Sequence, residues 1–211
     1  MKKLLLLSVL VTLLFACQTD KDSTNIQSGV SIELAEYRKS VLKAINYKLE
    51  FRVPEQADRR IQALEELTFN LTDNSQDLLL DFKASEDHLK GLLVNGKRQD
   101  LAIVNEHIVL EKENLIEGFN KVEINFWAGE SSLNRKEDFL YTLFVPDRAR
   151  TAFPCFDQPN LKANFDLVLD LPDHWNAIAN APVTISKVLD GRKTISYEKS
   201  DLISTYLFSF V

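Results

Sequence analysis

The chain has 211 residues, with 25 Lys and Arg against 31 Asp and Glu, for a formal net charge of −6. That excess of acid excludes a nucleic-acid surface, which needs basic density to displace counterions from phosphates. The length suffices for one domain with a real hydrophobic core, and the two cysteines, Cys17 and Cys155, allow at most one disulfide.

Lys2 and Lys3 open the chain with positive charge, and Leu4 to Ala16 is apolar apart from Ser8 and Thr12. The run is too short to span a bilayer as a helix, which takes about 20 residues. It fits the apolar core of an export signal. It ends Leu14-Phe15-Ala16-Cys17, which resembles the lipobox of bacterial lipoproteins. The resemblance implies cleavage after residue 16 and acylation of Cys17, with the acyl chains holding an exported protein on a membrane of the bacterial cell envelope. An ordinary secretory signal followed by an unrelated cysteine is the alternative. Cleavage removes Lys2 and Lys3 and brings the net charge to about −8. Cys155 is then left without a disulfide partner. Gln18 to Gly29 is polar and reads as a flexible tether. The expected organisation is a signal peptide over 1–16, an acylated cysteine and tether over 17–32, and a folded domain over 33–211.

Glu33 to Val41 has helical spacing of Leu34, Tyr37 or Arg38, and Val41. From Ile45 the period changes to two. Ile45, Tyr47, Leu49, Phe51 and Val53 alternate with polar residues until Pro54. Ile61, Ala63, Leu67, Phe69 and Leu71 share one phase, and Leu78, Leu80 and Phe82 follow. Leu92-Leu93-Val94 runs into Asn95-Gly96, a hairpin signal because both turn residues tolerate positive φ. Ile108 and Leu110 are a short run. Val122, Ile124, Phe126 and Ala128 predict a strand, as do Phe139, Tyr141, Leu143 and Val145. Phe165, Leu167, Leu169 and Leu171 predict another, stopped by Pro172. Trp175 to Ala179, Thr194 to Tyr197 and Thr205 to Val211 complete the set. Roughly ten to thirteen strands with hardly any helix predict an all-β fold, an antiparallel sandwich or saddle. The last strand stops at Val211 with no turn or polar cap, which suggests a piece of something longer.

Chemistry is sparse. His88, His107 and His174 include no pair four residues apart, so H-E-x-x-H cannot form. They read as surface or strand-end histidines. There is no G-x-S-x-G elbow and no Gly-rich phosphate loop. Glu65 and Glu66 point to opposite faces of a strand and cannot act as an acid–base pair. Two prolines within Phe153-Pro154-Cys155-Phe156-Asp157-Gln158-Pro159 forbid a helix or central strand there. The aromatics predict a packed connection. Cys155 reads as a packing residue, and Asp157 is expected to pair with Arg150 across the turn.

That stretch, with Leu161-Lys162-Ala163 and Phe165 after it, resembles the F-P-C-F-D-E/Q-P…K-A-x-F signature of the aminopeptidase N family of zinc metallo-aminopeptidases. Tyr47-x-Leu49, Leu80-Asp81-Phe82, Val94-Asn95-Gly96, the Leu115, Gly118, Asn120, Val122 series and Thr205-Tyr206-Leu207 extend the likeness over most of the chain. The resemblance implies the family's N-terminal β-domain, which packs on a thermolysin-like catalytic domain. There zinc-bound water attacks the first peptide bond with a glutamate as base. The family's G-x-M-E-N and H-E-x-x-H…E motifs are not in this chain. No catalytic residue and no zinc ligand is therefore assigned here, and the chain alone is expected to be inactive. The position where many relatives touch the substrate amine falls on Val145, with Leu143 two residues earlier in place of a glutamine. Two alternatives stand beside this reading. One is a free-standing β-sandwich lipoprotein that binds a protein or glycan. The other is a full-length relative without peptidase activity.

Overall fold

The structure, a computed structural model, describes residues 26–211. The expected signal peptide over 1–16, Cys17 and the tether as far as Asn25 lie outside these residues. The elements run α1 (Ile32–Val41), β1 (Leu42–Arg52), β2 (Gln62–Leu71), β3 (Leu78–Asp81), β4 (Leu89–Val94), β5 (Lys97–Arg98), β6 (Ile103–Val104), β7 (His107–Leu110), β8 (Gly118–Trp127), β9 (Leu133–Arg135), β10 (Leu140–Thr142), β11 (Asn164–Pro172), β12 (Val183–Leu189) and β13 (Arg192–Tyr197). One sheet of eight strands has the order β12-β13-β11-β1-β2-β8-β4-β5. Two smaller sheets, β3-β7-β6 and β9-β10, accompany it.

The period-two pattern forms the large sheet as expected. Ile45, Tyr47, Leu49 and Phe51 of β1 are buried, and so are Val122, Ile124 and Phe126 of β8 and Phe165, Leu167 and Leu169 of β11. Alternate residues such as Lys48, Glu50 and Arg52 face solvent. Ser31 caps α1, its side chain accepting from the Leu34 N–H at 3.2 Å. Asn95 and Gly96 take φ of 51° and 79°, the two positive values that turn β4 tightly into β5. The Asn120 side chain then ties that turn to the start of β8. Its Oδ1 accepts from Asn95 Nδ2 at 2.9 Å and from the Ile116 N–H at 3.0 Å. Its Nδ2 donates to the carbonyls of Ile116 (2.7 Å) and Gly118 (3.0 Å). A fully buried amide is thereby satisfied at both ends.

The core lies between the large sheet and a second layer made of the small sheets and the Phe153–Pro159 segment. Its centre is aromatic. Phe165 stacks on Phe208 at 4.5 Å and 10°, and on Tyr47 at 5.1 Å and 19°. Phe153 meets Phe208 edge-on at 5.6 Å.

Four expectations need correction. The sheet is not wholly antiparallel, because β1 and β11 pair in parallel, Asn46 with Asn164 through Arg52 with Asp170. Trp175 to Ala179 forms no strand; Ala179 joins Phe210 in an isolated bridge. Thr205–Leu207 is a 3₁₀ turn, and only the residues after it are extended toward that bridge. β12 was not anticipated, and all seven of its residues are exposed at the end of the sheet.

The backbone approach after β8 is close enough to specify one residue. The Gly129 N–H donates to the Ala152 carbonyl at 3.1 Å, and a methyl group built on Gly129 lands on the Thr151 carbonyl oxygen. Gly129→Ala should lower stability by about 1–3 kcal/mol, as overpacking does. A urea midpoint equal to that of the parent chain would contradict this account of the contact.

Candidate functional site

Phe153 through Gln158 is buried, and only Pro159 of the seven-residue motif reaches solvent. Its backbone is held by Asp81, through both its backbone and its carboxylate, and by Tyr47. Cys155 and Asp81 exchange two backbone hydrogen bonds, at 3.0 and 2.9 Å. The Phe156 N–H donates to the Tyr47 hydroxyl at 2.9 Å, and the Asp157 N–H donates to Asp81 Oδ2 at 2.8 Å.

Asp81 is the hub. Arg38, fully buried on α1, donates from Nη1 to Oδ2 at 2.9 Å and from Nη2 to Oδ1 at 2.5 Å. A third bond runs from Nη2 to the Leu79 carbonyl at 2.6 Å. The guanidinium also lies 5.4 Å from the Phe156 ring centre. His107 Nδ1 is 2.8 Å from Asp81 Oδ1. Its Nε2 faces the carbonyls of Gln27 (3.1 Å) and Gly29 (3.0 Å). Carbonyl oxygens only accept, so that nitrogen carries a proton. Asn105 Nδ2 donates to the Ile26 carbonyl at 2.8 Å. The last residues of the expected tether are thus fastened to the domain. Burial alone would push the Asp81 carboxyl up. The Arg38 guanidinium, His107 and the Asp157 N–H outweigh it and hold the group below its ordinary value.

Asp157 and Gln158 are staples of the same kind. Asp157 Oδ1 accepts from the Thr205 hydroxyl at 2.6 Å and Oδ2 from the Arg150 N–H at 3.1 Å. The expected Asp157–Arg150 pair is therefore made by the backbone amide. The Arg150 guanidinium turns away to Asp147, at 3.1 Å. Gln158 Nε2 donates to the Ala35 carbonyl of α1 at 3.0 Å. The Cys155 thiol is fully buried, and burial, with Asp157 and Asp81 nearby, pushes it well above its ordinary value. A thiol in that setting stays protonated and packs.

None of the histidines has the surroundings of a zinc ligand. His107 is buried rather than superficial. His88 Nδ1 lies 2.9 Å from the Trp127 carbonyl, and His174 is exposed near Glu55 and Asp173. Among the described residues no three His, Cys, Asp or Glu converge on a metal position.

The strand before the motif is shorter than expected, with β10 covering only Leu140–Thr142 and Val145 already in a turn, and it differs in phase. Leu140, Thr142 and Phe144 face the core, whereas Phe139, Tyr141, Leu143 and Val145 are 41–52% exposed. Phe139 and Tyr141 stack at 6.1 Å and 21°. The Thr142 N–H donates to the Phe210 carbonyl at 3.1 Å, and Val211 and Ile178 exchange backbone bonds at 2.8 and 2.9 Å. Exposed Val211 and Ile178 therefore continue this apolar surface beside β10. Val145 stands at its end with no acceptor to offer an ammonium group. The outer face of the large sheet holds a hollow of about 420 Å³ near Leu64, Leu93 and Val168. Its rim is a solvated charge network, with Lys121 3.2 Å from Glu66 and 3.1 Å from Glu123.

Arg38 and His107 carry the hub with Asp81, and sequence reasoning gave none of the three that role. Arg38 shared a helical stripe with Tyr37, and Asp81 sat inside Leu80-Asp81-Phe82. The usable signal was an acid flanked by apolar residues of a buried strand. Removing one partner of a buried pair leaves an uncompensated charge. Arg38→Met should therefore cost about 3–5 kcal/mol, with Arg38→Met/Asp81→Leu costing less than the two single changes together. A double-mutant cycle by urea unfolding measures this, and additive losses would remove Asp81 from its central position.

Residues 43–207 match the model of the Peptidase M1 N-terminal domain. Aminopeptidase M1-C of Oryza sativa subsp. japonica is 30% identical over 160 residues, which cover 74% of this chain and 16% of that protein. Glutamyl aminopeptidase of Rattus norvegicus is 25% identical over 194 residues, covering 80% of this chain and 20% of its own. The chain thus spans no more than about a fifth of either relative. The crystal structure of the M1 zinc metallopeptidase from Deinococcus radiodurans superposes with a TM-score of 0.69 at 18% identity, covering 81% of this chain and 41% of that one. At that identity the likeness is one of fold. With the family model matching most of its length, the chain belongs to the Peptidase M1 N-terminal domain family.

Proposed function

We propose that this domain is the front part of an exported zinc aminopeptidase, and that its exposed apolar row is where the catalytic domain of the longer protein sits. The observation that carries this reading is the outward placement of Phe139, Tyr141, Leu143 and Val145 on and beside β10, where Leu140, Thr142 and Phe144 face the core. Covering the exposed halves of such side chains is worth on the order of 1 kcal/mol each. The family relatives supply the occupant, since at least four-fifths of their length lies outside the part matched here. Removal of N-terminal residues from peptides, with zinc as the metal, belongs in this reading to the catalytic domain. The side chains of the described residues do not fit zinc, so the contribution of this chain is to hold that domain and wall its cleft. Val145 offers hydrocarbon at the cleft, and recognition of the free amine falls to other groups. Family membership favours this reading over a free-standing β-sandwich that binds a protein or glycan.

Attachment to a membrane is a separate part of the proposal. Lys2 and Lys3, the apolar run Leu4–Ala16 and Cys17 support export and acylation. Acyl chains on Cys17 would tether the enzyme to the cell envelope, with the polar residues after it as spacer.

Two variants test these readings. Tyr141→Glu/Leu143→Glu should cost this domain no more than about 1 kcal/mol, because both side chains are already about half exposed. In the full-length protein the same pair should lower peptide hydrolysis and increase protease nicking between domains; unchanged hydrolysis and nicking would move the docking surface elsewhere. Cys17→Ser should abolish incorporation of labelled fatty acid, and continued labelling would sink the lipid-anchor reading.

A further inference from the structure

Glu65 stands where the sheet calls for an apolar residue. β2 turns Ala63, Glu65, Leu67, Phe69 and Leu71 inward. Glu65 is 3% exposed, and neither carboxyl oxygen has a hydrogen-bond partner. Its register neighbours, Leu49 on β1 and Ile124 on β8, are both apolar. The titratable groups that share its field are Tyr47 on β1 and Cys155 of the motif. Beyond that thiol stand Asp81, Asp157 and the Arg38 guanidinium. Its sequence neighbour Glu66 points the other way and pairs with Lys121. An ionised carboxylate at Glu65 would lose its hydration and gain no donor, so the neutral acid is the form the fold accepts. Burial accordingly pushes the group well above its ordinary value of 4.5.

We propose that Glu65 is a pH-sensitive device beneath the Phe153–Pro159 motif: the neutral acid keeps the motif seated on the large sheet, and ionisation at raised pH loosens the seat. The folded chain keeps a proton on Glu65 that the unfolded chain releases above 4.5. The contribution of Glu65 is therefore present in full below that value and is lost as pH rises toward the folded value. Asp81 has the opposite sign, its contribution present above 3.8 and lost as pH falls. Asp157, raised by burial, shares the sign of Glu65, so only a change at Glu65 itself isolates the device.

The test compares the chain with its Glu65→Gln variant, which keeps the shape and cannot ionise, by urea unfolding from about pH 5 to about pH 8. The folding constant of the unaltered chain should fall by up to about tenfold more per pH unit than that of Glu65→Gln. At equal pH, amide exchange at Cys155 and Phe156 should be faster in the unaltered chain, and the difference should grow as pH rises. Parallel pH profiles for the two proteins would overturn the proposal. Should Glu65→Gln fail to fold, infrared spectra of the unaltered chain with isotope-labelled glutamate decide the matter. A protonated glutamate band at neutral pH supports the device, and its absence overturns it.

Discussion

One carboxylate organises the molecule. Asp81 ends the short strand β3, yet it takes both Nη nitrogens of Arg38 from α1, the Asp157 N–H from the motif and the approach of His107 from β7. Its own backbone closes a reciprocal bridge with Cys155. An ion pair at such depth contributes little net energy compared with apolar packing, because desolvation offsets most of the attraction. What it contributes is position. Helix, small sheet and motif must arrive in one arrangement or leave a bare charge behind.

The seven-residue motif is therefore a clasp and not a reagent. Its bonded polar groups are spent on structure: Asp157 on Thr205 and the Arg150 amide, Gln158 Nε2 on α1, the Phe156 amide on Tyr47. Its rings fill the space between the layers, with Phe153 against Tyr47, Phe144 and Phe208. Fixing the motif also fixes the strand just before it. With Phe144 drawn into the aromatic core, its neighbours Leu143 and Val145 have to face outward. The exposed apolar row is a consequence of how the clasp packs.

Much of the fold was legible because a half-buried strand writes its burial into a period of two. β1, β8 and β11 show that period, and the Asn95-Gly96 turn announced itself through the positive φ it needs. β10 was legible as a strand but not in phase. In Phe139-Leu140-Tyr141-Thr142-Leu143-Phe144-Val145 both faces carry large apolar groups, so pattern alone cannot say which one meets the core. The turn at Thr205 was hidden because it depends on Asp157, 48 residues earlier, and no local propensity records such a partner. The Glu65-Glu66 pair was placed on opposite faces correctly. That Glu65 takes the inner face follows only when it is read in phase with Ala63 and Leu67, against its chemistry. The motif was read correctly as a packed connection with Cys155 as a packing residue, and Asp157 does meet Arg150, but through its backbone amide. The bonds to Asp81, Tyr47 and Thr205 come from distant segments that no local pattern records.

The parallel pairing of β1 with β11 bears on how the chain reaches this structure. Asn46 meets Asn164, so these two neighbouring strands are separated by roughly 120 residues of chain, a non-local contact of the kind that slows folding. A ribosome adds about 5–20 residues per second. β1 therefore spends several seconds or more with one edge open before its neighbour exists. During that interval its unpaired edge is a template for any other strand nearby. The domain cannot close from its beginning forward. It closes only when the second half of the sequence returns beside the first.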